Sequence, residues 1–111
     1  MSRLLKRQEN FINLLLQPTL NVRQRVSLLK HATKEQILAL SEIVLNVLRG
    51  TFDLSGEEKK ILFPYRNGLR RISQEKDKIN WQTRRTLMIK HAKALHTLLK
   101  LVRDKIANIL Q

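Results

Sequence analysis

The stretch from Thr33 to Gly50 constrains the fold of this chain more than any other part of its sequence. Thr33 and Gln36 have the spacing of a capping box, in which two side chains bond the free backbone N–H groups at a helix start. Apolar residues then recur at spacings of three and four, and Gly50 stands where a left-handed turn commonly ends a helix. The sequence therefore predicts a central helix. The residues predicted to lie in the core are Ile37, Leu40, Val44, Val47 and Leu48.

The central helix is apolar around more than half of its circumference, so it needs neighbours on two sides. Before it, the pattern predicts a helix from Ser2 to Leu16, ended by Pro18, and a short helix from Val22 to His31 capped by Asn21. These two segments supply apolar faces for the first side.

A fourth helix is predicted after the turn at 51–54. Ser55 and Glu58 form a second capping box at its start, and the helix continues from Gly56 towards Ile72. Pro64 in its middle removes a backbone hydrogen bond at a cost of about 3 kcal/mol, so we expect a kink or break near Phe63. Residues 73–79 are polar and charged, which is typical of a loop.

The last predicted helix runs from Trp81 to Leu110, is capped by Asn80, and would be about 45 Å long. An apolar seam repeats along it every seven residues, which indicates packing against another helix. The seam consists of Trp81, Met88, Leu95, Val102 and Ile109, with Ala92, Leu99 and Ile106 between them. Arg84, His91 and Lys105 occupy positions that a zipper would fill with Leu, which favours packing within the chain over a homodimer through Trp81–Ile109. The predicted fold is all-α: one domain over 1–111, a compact bundle of about five helices with a long C-terminal helix.

Composition excludes several classes of function. There is no Cys, so neither a disulfide framework nor a Cys-based metal site is expected. The spacing of His31, His91 and His96 does not suit a metal, no Gly-rich phosphate loop is present, and no nucleophile is paired with a base. No apolar run reaches the roughly 20 residues that span a bilayer. We expect a soluble, intracellular, non-enzymatic protein with no cofactor, no metal and no small-molecule substrate.

Charge is the strongest functional signal in the sequence. The net charge is +13, of which residues 59–111 carry +11 and residues 1–58 only +2. Charge of this density makes the folded state repel itself, and a polyanion relieves that repulsion. Nucleic acid is the usual polyanionic partner of such a surface.

The basic residues cluster in a helix-loop-helix region, 56–110, and Arg66, Arg70 and Arg71 share adjoining parts of one face. Those predicted to bind nucleic acid are Lys59, Lys60, Arg66, Arg70, Arg71, Lys76, Lys78, Arg84, Arg85, Lys90 and Lys93. Only Tyr65 and Trp81 are aromatic candidates for base stacking, and Trp81 begins the apolar seam. This favours contact with the duplex DNA backbone over the reading of single strands or RNA by stacking.

A resemblance to a known family covers about Leu28 to Met88. A helix ends in Asn46-Val47-Leu48-Arg49-Gly50, Leu54-Ser55 follows a short turn, a basic helix carries Tyr65-Arg66-Asn67-Gly68-Leu69-Arg70, and a capped helix begins with Arg84-Arg85. This order resembles small basic proteins of Maverick/Polinton-type elements and adintovirus-like animal DNA viruses. The resemblance implies a DNA-binding virion-core role, located in the nucleus of a host cell or in the virion.

Two further interpretations remain open at this stage. The chain could be a helical interaction module that docks an acidic protein or a second copy. Basic helices with apolar faces also bind anionic lipid surfaces. The number of apolar faces that need one another favours a folded bundle over a helix lying on lipid.

Overall fold

The computed structural model describes residues 3–74 and 79–110, and every regular element in these ranges is helical. The α-helices are α1 (Arg3–Arg7), α2 (Glu9–Leu15), α3 (Val22–Lys30), α4 (Lys34–Leu48), α5 (Gly56–Leu62), α6 (Arg66–Ile72), α7 (Trp81–Lys90) and α8 (Ala92–Leu110). A 3-10 helix, Phe63–Tyr65, joins α5 to α6. The all-α fold, its compactness and its long C-terminal helix are confirmed, with overall dimensions of 33 × 30 × 27 Å.

The predicted caps explain where four helices begin. Thr33 Oγ1 accepts a hydrogen bond from the Gln36 N–H at 3.3 Å, and the Thr33 N–H donates to Gln36 Oε1 at 2.8 Å. Asn21 and Ser55 begin α3 and α5 with the same reciprocal pair of bonds. Asn80 accepts from the backbone N–H three residues later, at the start of α7. Each of these caps satisfies a donor that the helix itself leaves unbonded.

The described residues form more helical segments than the predicted five, because three predicted helices are interrupted, two of them at places that the sequence did not indicate. The first breaks at Gln8 into α1, which packs on α4, and α2, which contacts both α4 and α8. The last breaks at His91, whose backbone angles of φ −106° and ψ 36° leave the helical region. The break expected near Phe63 is present as the 3-10 helix.

Helix α4 lies at the centre and packs against α1, α2, α6 and α7. Ile37, Leu40, Val44 and Val47 are buried as predicted, but Leu48 is 38% exposed. Leu48 is wrongly assigned to the core because it borders a groove between α4 and α6 rather than a neighbouring helix.

The seam of the last predicted helix is buried within the chain itself. Met88, Leu95 and Val102 are almost completely buried, Trp81 is half-buried, and Ile109 is 41% exposed. Helix α7 contacts α3, α4 and α6, and α8 contacts α3 and α6, so the middle of the seam at Met88, Leu95 and Val102 is covered within the chain. None of the described helices has the length and hydropathy needed to cross a membrane.

A buried arginine holds the turn between α2 and α3. The Arg25 guanidinium donates to the backbone carbonyls of Leu15 at 2.8 Å, Gln17 at 3.0 Å and Leu20 at 2.5 Å. It also lies 2.8 Å from His96 Nδ1 on α8. Since arginine only donates, Nδ1 must accept, and His96 is therefore neutral. Burial lowers the pKa of the His96 imidazole, and the charges of Arg25 and Lys100 lower it further.

Candidate nucleic-acid interface

Arg84 is the one predicted nucleic-acid contact that the structure contradicts. Its side chain is 2% exposed, so no phosphate can reach it. The guanidinium donates to the carbonyl of Ile72 at 2.5 Å and to the carbonyl of Gln74. Ile72 is the last residue of α6, and Gln74 lies two residues beyond it. Neither carbonyl has an N–H group of the helix left to accept from. Arg84 thus joins α7 to the end of α6, and its burial lowers the pKa of the guanidinium.

Arg85, the next residue, is half-exposed on the other side of α7. Its guanidinium carbon lies 5.1 Å from the centre of the Trp81 ring, and Nη1 donates to the Ala32 carbonyl at 3.4 Å. The Trp81 ring and the end of α3 therefore hold Arg85 at the surface, where part of its charge still faces water.

Two predicted lysines, Lys59 and Lys60, are exposed on α5. Lys60 Nζ lies 3.8 Å from a carboxylate oxygen of Glu57, in a pair that is itself mostly in water. Such an exposed pair contributes less than about 1 kcal/mol, so a phosphate can displace the carboxylate readily. Lys59 forms no ion pair with a described residue.

Helix α6 presents three arginines, as predicted. Arg66 Nη1 donates to the Phe63 carbonyl at 2.8 Å, and its guanidinium carbon lies 3.9 Å from the centre of the Phe63 ring. Arg70 and Arg71 are exposed. Arg66 and Arg70 border the groove between α4 and α6, whereas Arg71 is close enough to His91 to affect its titration.

Lys90 and Lys93 stand on either side of the break at His91, and both are exposed. Burial lowers the pKa of the His91 imidazole, and the positive charges of Lys90 and Arg71 lower it further. Arg71 of α6 and Lys90 of α7 thus both lie within electrostatic range of His91. The two remaining predicted cations, Lys76 and Lys78, lie outside the described residues.

Two further residues belong to this surface and were not among the predicted contacts. Arg49, at the C-terminal cap of α4, lines the same groove as Lys59, Arg66 and Arg70. Phe63, which the sequence does not distinguish from core aromatics, is 61% exposed. Its position directly before Pro64, at the predicted break, is the only sequence signal that could have indicated its exposure.

The described residues contain no group of three His, Asp or Glu side chains that could hold a metal ion. The groups that the predicted cations expose at this surface are positive charges and hydrogen-bond donors. No family model, curated protein or solved structure matches this chain, so the resemblance to element-encoded and viral basic proteins stays a prediction.

Proposed function

We propose that this protein binds nucleic acid without catalysis, by holding the phosphates of a duplex with little regard for sequence. The observation that carries the proposal is a set of solvent-accessible cations, nearly all of which form no ion pair with a carboxylate in the part of the chain that the structure describes. Among the predicted cations that the structure describes, leaving out the buried Arg84, only Lys60 forms an ion pair with a described carboxylate. These cations lie on α5, α6, α7 and the start of α8. Helix α6 packs against α7 and α8, which brings the helices that carry them together.

Contact with the duplex backbone agrees with the residue types and exposure at this surface. Arginine forms paired hydrogen bonds to phosphate oxygens, and Arg70 and Arg71 are exposed and form no ion pair with a described carboxylate. Trp81 and Tyr65 are half-buried, and one face of the Phe63 ring is covered by Arg66. A succession of stacking aromatics, on which single-strand binding depends, is therefore not present in the described surface. A virion or a host nucleus, where DNA must be compacted, is the proposed setting.

The test is a salt series with two duplexes of unrelated sequence. Each neutralised phosphate releases counterion, so log affinity decreases with log salt. The magnitude of that slope should become smaller by about 0.9 when Arg70→Gln or Arg71→Gln removes one contact. The loss should be the same for both duplexes, because backbone contacts carry no sequence information. Lys6→Gln, at an exposed position on α1, is the matched control and should leave the slope nearly unchanged.

Two results would overturn the proposal. One is an affinity that does not change between roughly 50 and 200 mM salt, where a protein with six or more phosphate contacts loses about a thousandfold. The other is a slope that Arg70→Gln and Lys6→Gln lower equally, which would mean that net charge acts and not a defined surface. Tighter binding to single strands than to duplexes of equal length would refute the duplex preference.

A further inference from the structure

A groove with an apolar floor opens beside the basic surface, with a volume of about 490 Å³. It lies between the end of α4, the turn at 51–54, α5, the 3-10 helix and α6. The residues that line it are Val47, Leu48, Arg49, Gly50, Phe52, Leu54, Lys59, Leu62, Phe63, Arg66, Leu69 and Arg70. Its volume falls within the roughly 300–1,000 Å³ typical of ligand sites in proteins.

The apolar residues that line this groove differ in exposure. Phe52, Leu62 and Leu69 are buried beneath it as part of the core. Leu48 and Phe63 also line it and are 38% and 61% exposed. Two large apolar side chains are thus exposed next to a buried apolar floor, and covering them would remove apolar surface from water.

The charged residues that line the groove, within residues 3–74 and 79–110, are all positive. They are Arg49, Lys59, Arg66 and Arg70, and no Asp or Glu of these ranges lines it. None of these four cations forms an ion pair with a described carboxylate. An occupant that brings both negative charge and apolar groups therefore complements the groove in two independent ways.

We propose that this groove binds a short acidic segment of another protein, with large apolar side chains on the floor and carboxylates against the four cations. Arginine suits carboxylates for the same geometric reason that it suits phosphates. Nucleic-acid bases fit less well, since their polar edges would face Val47, Leu62 and Leu69, which offer no side-chain hydrogen bonds. A second copy of this chain, with a net charge of +13, would be repelled.

The proposal has a consequence for the basic surface as a whole. Lys59, Arg66 and Arg70 both line the groove and belong to the proposed nucleic-acid surface. An acidic segment in the groove and a duplex on the surface would compete for these three side chains. Peptide binding itself does not depend on whether duplex binding occurs.

The experiment measures fluorescence anisotropy of a labelled peptide in which Glu alternates with Leu and Phe. A second peptide of equal length and charge, with Ser in place of every apolar residue, separates the apolar contribution from the charge. Phe63→Ala should weaken binding of the first peptide about tenfold, as expected for an aromatic side chain at the centre of an interface. Ile61→Ala is the control. Ile61 lies in α5, two residues before Phe63, and its side chain is also exposed, but it does not line the groove.

Charge is tested with two neighbouring arginines. Arg70→Gln removes a cation from the groove and should lower the affinity for the peptide, whereas Arg71→Gln removes one that does not line it and should change the affinity much less. Added duplex DNA should displace the peptide. Leu48→Ser should leave the salt slope of duplex binding unchanged, because Leu48 lines the groove, carries no charge and is not a proposed phosphate contact.

The outcomes distinguish this proposal from the previous one. Equal binding of the Ser peptide, or equal effects of Phe63→Ala and Ile61→Ala, would overturn the groove proposal. Binding that requires Phe63 but occurs only with anionic phospholipid vesicles, and not with the peptide, would also overturn it and assign the groove to lipid. A protein that binds the peptide through Phe63 but not DNA would retain the groove and lose the proposed function. Leu48→Ser provides a second groove variant, and circular dichroism verifies that each variant folds.

Discussion

Replacing Arg84 by Met tests whether this arginine serves the fold or the nucleic acid. Methionine retains most of the buried stem but donates no hydrogen bond. The carbonyls of Ile72 and Gln74 then lose their charged donor. Gln74 is exposed, so water can replace the bond there, but the bond to Ile72 is buried. An unsatisfied buried group costs about 1–3 kcal/mol, and a bond from a charged donor is worth about 1.5–3 kcal/mol.

Loss of that one buried bond, with a smaller loss at Gln74, gives an expected decrease of about 2–3 kcal/mol in the free energy of unfolding. The substitution also removes the cost of burying the Arg84 guanidinium, which has no carboxylate partner among the described residues. This gain offsets part of the free energy lost with the two hydrogen bonds. With a urea m-value of about 1–3 kcal/mol/M, the unfolding midpoint should fall by roughly 0.7–3 M.

Arg85→Met is the matched control for this experiment. It removes the half-exposed neighbour, whose contacts with Trp81 and Ala32 are long, and should cost no more than about 1 kcal/mol. In the salt series Arg85→Met should reduce the salt dependence of duplex binding more than Arg84→Met does, because Arg85 can reach a phosphate and Arg84 cannot. The reasoning is refuted if Arg84→Met changes stability by less than about 0.5 kcal/mol while lowering the duplex salt slope by about 0.9.

Three further predictions concern the packing and its pH dependence. Leu95→Ala should cost about 2–5 kcal/mol in urea unfolding, whereas Ile109→Ala, at a 41% exposed position, should cost less than about 1 kcal/mol; equal costs would mean that the seam is not buried as described. Gly68→Ala should destabilise by about 1–3 kcal/mol, because the new methyl carbon would lie 2.8 Å from His91 Nδ1; an unchanged melting temperature would show that the ring moves aside freely. The pKa of His96 is lowered in the folded state, so the unfolded chain binds more protons and stability should decrease as pH falls below the ordinary value of 6.5. His96→Gln should make that part of the pH profile shallower and leave the contribution of His91, whose pKa is also lowered, whereas an unaltered profile would assign the dependence to another group.

Local signals in the sequence determined where the helices begin. The caps at Asn21, Thr33, Ser55 and Asn80 were all predicted, because each side chain bonds a backbone group only three residues away. Such bonds do not depend on the rest of the chain. The break at Phe63–Tyr65 was predictable for the same reason, since Pro64 disrupts a helix by its own covalent structure.

The periodic apolar face of α4 was also predictable, but its limit at Leu48 was not. Periodicity shows which residues share a face and does not show where the neighbouring helix ends. The excess of basic residues in the second half is likewise a property of the sequence, and most of the predicted cations that the structure describes are indeed exposed.

Only tertiary packing decided between Arg84 and Arg85. The two residues are chemically identical and adjacent, and the rotation of α7 against α6 buries one and exposes the other. The structure also places Gly68 of α6 beside the break at His91. Gly68 has no side chain, so α6 approaches the His91 ring closely at the place where α7 ends and α8 begins.

The groove and the buried Arg25 belong to the tertiary structure as well. Arg25 reaches carbonyls ten, eight and five residues earlier in the chain and His96 seventy-one residues later. The groove requires the end of α4 to meet α5 and α6. Sequence patterns report each residue's relation to its own helix, whereas burial, partners and cavities depend on distances between helices, which only the packed chain defines.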